Sequence, residues 1–290
     1  MVAIVLLLCI IIAISFAVSC FLANFAPMII SYSATGNTKL VAQGVAECLN
    51  DYVEFISSDN DHCSIDLADG EPIGIFFPVH GWNVPRPVTE WIEHACFNNI
   101  YDHYVYAVAT CGDEVGKAME CLDAMLKTHW QRCLDSCYDV VMPNTYVTLP
   151  YMDTDTTEVV AAKIKAAAKR IKVIADGVRA RARGCFVEHP GTMPWVLTHI
   201  IGAAFHRWLV NDRYFKVDVQ RCISCGQCAA ACNRGNISGG KGSMPTWLHA
   251  HHACTSCLAC YHHCPQHAIS FGPLTHKRGQ YVAPASLVTE

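Results

Sequence analysis

The 290-residue chain has little excess charge of either sign: 21 Lys and Arg stand against 25 Asp and Glu. Its net charge of −4 excludes the basic footprint of a nucleic-acid binder or of a protein drawn to anionic lipid. No G-x-G-x-x-G follows any strand-like run, so there is no built-in nicotinamide site. Residues 1–30 contain no charged residue, and residues 2–22 are almost wholly apolar. No positive n-region precedes that stretch, which makes it a poor secretory signal, and no twin-arginine marks export of a preassembled protein. Two readings of residues 1–27 therefore stand: a membrane tether, or an extension upstream of a true start at Met28. Pairing logic is also missing from ten of the 18 cysteines (Cys9, Cys20, Cys48, Cys63, Cys96, Cys111, Cys121, Cys133, Cys137 and Cys185). These read as free thiols in a reducing cytoplasm, where cysteine behaves as a small hydrophobe.

The remaining eight cysteines form two identical strings. They are Cys222-x2-Cys225-x2-Cys228-x3-Cys232 and Cys254-x2-Cys257-x2-Cys260-x3-Cys264, the second closed by Pro265. This spacing holds two [4Fe–4S] clusters. Three sulfurs within seven residues wrap three corners of a cubane, and the fourth corner must come from the other string. The expected ligand sets are Cys222, Cys225, Cys228 and Cys264 for one cluster, and Cys254, Cys257, Cys260 and Cys232 for the other. Structural zinc uses pairs of CxxC rather than two triples, and a chain of this length does not need disulfide staples. The residue after Cys232 is Asn233, where a proline is usual.

A second motif lies near residue 30. A short apolar run, Met28 to Ile30, reads as a buried strand. It enters a loop of Ser33, Ala34, Thr35, Gly36, Asn37 and Thr38, and the loop opens onto a helix with Leu40, Val41, Val45 and Leu49 on one face. Strand, polar loop and helix N-terminus make a phosphate cradle from free N–H groups, hydroxyls and the helix dipole. The loop has no lysine, unlike a Walker A nucleotide loop.

This loop resembles the phosphate loop of flavodoxins, which holds FMN. Downstream, 73–78 and 104–109 read as further buried strands. They are followed by His80-Gly81-Trp82-Asn83 and by Thr110-Cys111-Gly112-Asp113-Glu114-Val115-Gly116. Strands alternating with helical stretches imply an α/β fold with a doubly wound parallel sheet, whose ligand lies beyond the carboxyl ends of the strands. The resemblance implies that His80, Trp82, Asn83, Thr110, Gly112 and Gly116 join residues 33–38 around FMN, with Trp82 or His80 covering one flavin face. The whole order resembles the fusion family in which a flavodoxin-like domain precedes a small α+β bacterial ferredoxin-like domain with two [4Fe–4S] clusters. Besides the loop and the strings, Pro78-Val79-His80-Gly81-Trp82-Asn83-Val84-Pro85, Met142-Pro143-Asn144-Thr145-Tyr146 and Pro245-x-Trp247 carry the likeness.

The expected organisation is therefore a hydrophobic segment 1–27, a flavodoxin-like domain 28–184, a linker helix 185–212 and a ferredoxin-like domain with its tail at 213–290. Residues 155–183 read as a long helix, started by a capping-box-like Asp155 and Glu158 and carrying eight Lys and Arg against three acids. Its basic face reads either as a solvated helix face or as a dock for an acidic redox partner. Residues 192–210 read as an apolar strut between the domains.

The leading functional expectation is a cytoplasmic electron-transfer protein passing electrons between FMN, two clusters and an unknown redox partner protein. It needs no catalytic acid or base. The alternatives are an FMN-dependent reductase of a small substrate fed by its own clusters, or an iron–sulfur redox sensor.

Overall fold

The structure, a computed structural model, describes residues 29–57, 64–65, 67, 70–250, 253–273 and 275–287. Residues 1–27, Met28, Cys63 and Glu290 lie outside that set, so the readings of the N-terminal segment do too. Among the described residues no helix is long and apolar enough to cross a membrane.

Six strands form one parallel sheet: β1 (Ile29–Ser31), β2 (Val53–Phe55), β3 (Ile73–Pro78), β4 (Val105–Cys111), β5 (Ser136–Val141) and β6 (Gly184–Phe186). Their order is β2-β1-β3-β4-β5-β6, every neighbouring pair parallel. Strand β4 is buried throughout and β3 nearly so. That is the reason their sequences are continuous apolar runs rather than alternating ones. Helices α1 (Asn37–Leu49) and α4 (Thr157–Arg179) cover one face; α2 (Arg86–His94) and α3 (Ala118–His129) cover the other. The order reverses at β1 and β3, so the loops leaving β1, β3 and β4 open on one crevice.

Helix α4 starts one residue later than its sequence suggests. The Thr156 hydroxyl caps it by accepting from the Val159 N–H. Asp155 is drawn away from the cap: its carboxylate pairs with Lys163 at 2.8 Å and accepts from the Asn144 N–H at 2.9 Å. Much of the helix's basic surface is likewise tied to its own domain. Lys163 donates to the Gly112 carbonyl, and Arg170 pairs with Asp139 and Glu188. Asp139, fully buried in β5, also accepts from the N–H groups of Glu188 and His189, which pins the chain as it leaves the sheet.

The linker helix runs from Pro194 to Trp208, with a π-helical turn over Leu197–Gly202. It lies on the loop after β3. Thr198 Oγ1 donates to the Trp82 carbonyl at 3.0 Å. Gly202 sits where a Cβ would come within 2.4 Å of the Gly81 carbonyl oxygen, so only glycine allows this approach. At its far end Ser256 Oγ bonds the Leu209 and Asn211 carbonyls, tying the helix to the second cysteine string.

The C-terminal module pairs β7 (Phe215–Val217) with β10 (Ile269–Phe271), and β8 (Ile237–Ser238) with β9 (Thr246–Trp247), all antiparallel. Its apolar cluster is built on Phe215, Trp247, Leu258, Tyr261 and Phe271, and it takes in Val147 from the loop after β5.

Candidate functional site

Both cysteine strings fold alike. In each, the serine before the second cysteine and the residue after that cysteine adopt a left-handed backbone: Ser224 and Gly226 in the first, Ser256 and Leu258 in the second. That shape turns three sulfurs inward. The chain then enters a short helix, Gln227–Ala230 or Ala259–His262. Two cages result. One is lined by Cys222, Cys225, Cys228 and Cys264, the other by Cys232, Cys254, Cys257 and Cys260. The fourth cysteines are thus exchanged between strings. Burial raises the Cys260 thiol well above its usual range, and the charges that add to the rise are those of Cys257, Cys254 and Cys232. Among the described residues no three Cys, His, Asp or Glu side chains close on a site for a single metal ion. The cages suit a compact cluster with four corner ligands instead. Backbone N–H groups of Ser256 and Ala268 point at the sulfurs of Cys254 and Cys264, at 3.4 and 3.3 Å. The described cysteines are free thiols, including Cys137 and Cys185, which are register partners on β5 and β6.

At the carboxyl end of the sheet is a cavity of about 250 Å³. Its floor is the loop after β1. None of the backbone N–H groups from Ala34 to Thr38 donates to an acceptor among the described residues, and neither does the Thr35 hydroxyl. Such an unpartnered set at a helix N-terminus suits a phosphate. The loop is braced from outside. Asn37 Nδ2 donates to the Pro143 carbonyl at 2.8 Å, and the Thr38 and Thr110 hydroxyls meet at 2.7 Å. Asn37 Oδ1 is buried with no partner among the described residues. From the C-terminal tail, the Ala283 N–H donates to the Thr35 carbonyl at 2.9 Å.

Of the residues expected to surround the ligand, Ser33, Ala34, Thr35, Asn37, Thr38, His80, Trp82, Thr110 and Gly112 line this cavity; Gly36, Asn83 and Gly116 do not. Gly36 has φ 96°, and a Cβ there would face Ala283. Asn83 closes the turn after β3 by accepting from its own neighbour Val84. Gly116 lies beneath Trp82 and Thr198, where a Cβ would come within 2.9 Å of the Trp82 side chain.

Trp82, itself at φ 57°, is held by a 3.0 Å bond from its indole Nε1 to Glu114 Oε1. His80 stands edge-on to Tyr32. Burial, aided by neighbouring His206, lowers its pKa to about 4 and keeps the ring neutral. Tyr146 adds a third aromatic wall, and burial raises its hydroxyl to about 12.

The opposite wall was not visible as such in the sequence. It consists of Thr255, Ser256 and Cys257, so a cysteine of the second cage and the phosphate loop line one cavity. The modules are bolted together around it. His262 Nε2 bonds the Thr145 carbonyl at 2.7 Å, Arg234 pairs with Glu90 at 2.7 Å, and Arg278 with Asp153 at 3.6 Å. Phe205 of the linker helix packs edge-on against Tyr146.

Residues 221–269, which include all eight cysteines, match the family model of the 4Fe-4S dicluster domain. The C-terminal module is thus an iron–sulfur module of the dicluster type. No curated protein matches the chain. Among solved structures, rubredoxin oxygen:oxidoreductase from the anaerobe Desulfovibrio gigas is similar at 14% identity. The match covers 58% of this chain and 41% of that one, with a TM-score of 0.30. The chain thus spans less than half of that protein, and the superposition is too loose to argue from. The α/β assignment rests on the sheet itself.

Proposed function

We propose that this chain is an electron-transfer flavo-iron–sulfur protein of the flavodoxin–ferredoxin fusion type, working in the cytoplasm. Cys222, Cys225, Cys228 and Cys264 hold an outer [4Fe–4S] cluster; Cys232, Cys254, Cys257 and Cys260 hold an inner one. Residues 33–38 hold the phosphate of FMN through their free N–H groups and hydroxyls, and Trp82, His80 and Tyr146 enclose its ring. When bound, the flavin supplies a step between one-electron and two-electron chemistry. The residues of the chain place the cofactors side by side, keep water from the space between them and hold the two modules in register.

One observation carries this reading: Cys257 and the phosphate loop are walls of the same cavity. The rival reading, a reductase of a small substrate, needs open room beside Trp82. Against it, the linker helix is packed on the loop that carries Trp82, and the second string closes the opposite side.

Anaerobic purification with iron, sulfide and flavin quantified tests the proposal. About eight iron and one FMN per chain are expected. A chain holding iron but refusing FMN at micromolar concentration would falsify it.

A further inference from the structure

Charge is divided unevenly along the chain. Residues 28–212 carry 14 Lys and Arg against 23 Asp and Glu; residues 213–290 carry seven against two. Two of the seven, Arg234 and Arg278, are spent on ion pairs with the flavodoxin-like module. Arg213, Lys216, Arg221 and Lys241 are exposed, and among the described residues none is in an ion pair. Of the module's two acids, Glu290 lies outside the described residues. Asp218 is exposed, with its carboxylate accepting from the N–H groups of Gln220 and Arg221 in its own loop.

Two of these four cations flank the first string. Arg221 immediately precedes Cys222. The loop bearing Lys241 is seated on the first string: the Gly242 N–H donates to the Ser224 carbonyl at 3.0 Å, and a Cβ on Gly226 would lie 3.2 Å from the Lys241 backbone nitrogen. On either side of Arg221 in the chain, Ile223, part of the outer cage wall, is 60% exposed, and Val219 is 72% exposed. An apolar centre with a basic rim therefore lies over the cage that is turned away from the flavin cavity. Whatever exchanges electrons with the inner cluster and flavin from outside finds the outer cage at the free surface.

We propose that this face, centred on Ile223 and Val219 and rimmed by Arg221 and Lys241, docks an acidic one-electron carrier protein. The proposal rests on the flavo-iron–sulfur reading above. Opposite charge steers the encounter and fixes its orientation, while the small apolar centre excludes water over the cluster. In each encounter a reduced carrier loses one electron and the outer cluster gains it. Two encounters supply the two electrons of a fully reduced flavin, with its protons taken from water. Helix α4, the other basic surface, has Lys163 and Arg170 held by Asp155, Asp139 and Glu188, and its exposed Lys165, Lys169 and Lys172 stand on an element that lines neither cysteine cage.

The test uses the full chain loaded with both cofactors, mixed anaerobically with a photoreduced small acidic ferredoxin, while the oxidised-flavin absorbance is followed. The second-order rate should fall as salt rises. R221E with K241E should slow it about tenfold or more at low ionic strength, with iron and FMN contents at parental level. R221Q with K241Q should give an intermediate loss, and K165E with K169E on α4 should leave the rate unchanged. An unchanged rate in the R221E/K241E protein, or a loss confined to the α4 variant, overturns the proposal. If dithionite reduces both cofactors but the acidic ferredoxin reduces neither, the docking face is wrong and the electron-transfer reading survives.

Discussion

The Tyr32 hydroxyl donates to Asn233 Oδ1 at 3.3 Å, joining the residue just after β1 to the residue that follows Cys232, 201 positions away. The same amide returns a bond from its Nδ2 to the Ser33 carbonyl, also at 3.3 Å. Asn233 stands where a proline is usual after the fourth cysteine of such a string. A proline has no side-chain donor or acceptor, so it could make neither bond. The departure thus has a physical reason: the amide ties the inner cage to the entrance of the phosphate loop.

Asn233→Ala should leave iron content unchanged, because Cys232 is untouched. It should lower stability to denaturant by about 1 kcal/mol, the net worth of such bonds. It should also slow electron passage between cluster and flavin after rapid mixing with a reductant. Parental values for both stability and transfer rate would show that the tie is incidental.

Cys225→Ala and Cys257→Ala should differ in a way their sequence equivalence hides. Each removes one cluster's corner and weakens the other, since the exchanged fourth ligands and the shared apolar cluster make one folding unit. Of the two, only Cys257 lines the cavity at the carboxyl end of the sheet. Its loss should therefore shift the flavin absorption spectrum and weaken FMN binding, whereas Cys225→Ala should leave the flavin spectrum alone. Iron analysis with EPR of the reduced variants, alongside FMN titration, measures both. Two intact clusters in either variant would refute the ligand assignment.

Asn37→Asp should weaken FMN binding by about tenfold or more and leave iron unchanged. It removes the Nδ2 donor to the Pro143 carbonyl and places a carboxylate beside a phosphate. Thr35→Ala, which deletes a hydroxyl with no partner among the described residues, should weaken binding more mildly. Fluorescence titration of the flavin-free chain gives both affinities. Equal affinities in both variants and the parent would mean that the phosphate lies elsewhere.

The parts of this site that were legible in the sequence are the parts built from neighbours in sequence. The cysteine strings, the 33–38 loop and the strand at 73–78 each encode their geometry within a dozen residues. Where the sequence is silent, the determining contact is distant. The space beside Gly36 is set by Ala283, and that beside Gly116 by Trp82 and Thr198. The wall formed by Thr255 to Cys257 exists only because the iron–sulfur module folds back across the sheet. The start of α4 was misread for a related reason: Asp155 looks like a cap until Lys163 and Asn144 compete for it. The tail bond from Ala283 to Thr35 has no local signature at all.

His80 gives the pH prediction. Its ring is half-buried in the cavity wall, with Tyr32 at its edge and His206 adding to the shift that desolvation causes, and its pKa falls to about 4. The His206 pKa is lowered too, chiefly by burial, while its Nε2 bonds the His80 carbonyl at 2.9 Å. In the unfolded chain a histidine takes its proton near pH 6.5. Between about pH 6.5 and pH 4 the unfolded state therefore binds more protons than the native one, and stability falls as pH falls. His80 should contribute up to about 1.4 kcal/mol per pH unit through that window, and nothing above it. Urea unfolding of the parent should show a lower midpoint at pH 5 than at pH 7, and His80→Gln should flatten that difference even if its midpoint at pH 7 is lower. FMN release should follow the same window, since His80 lies in the cavity wall. A variant as acid-sensitive as the parent would move the cause to other buried groups, and the neutral ring of His80 would then play no part in the acid response.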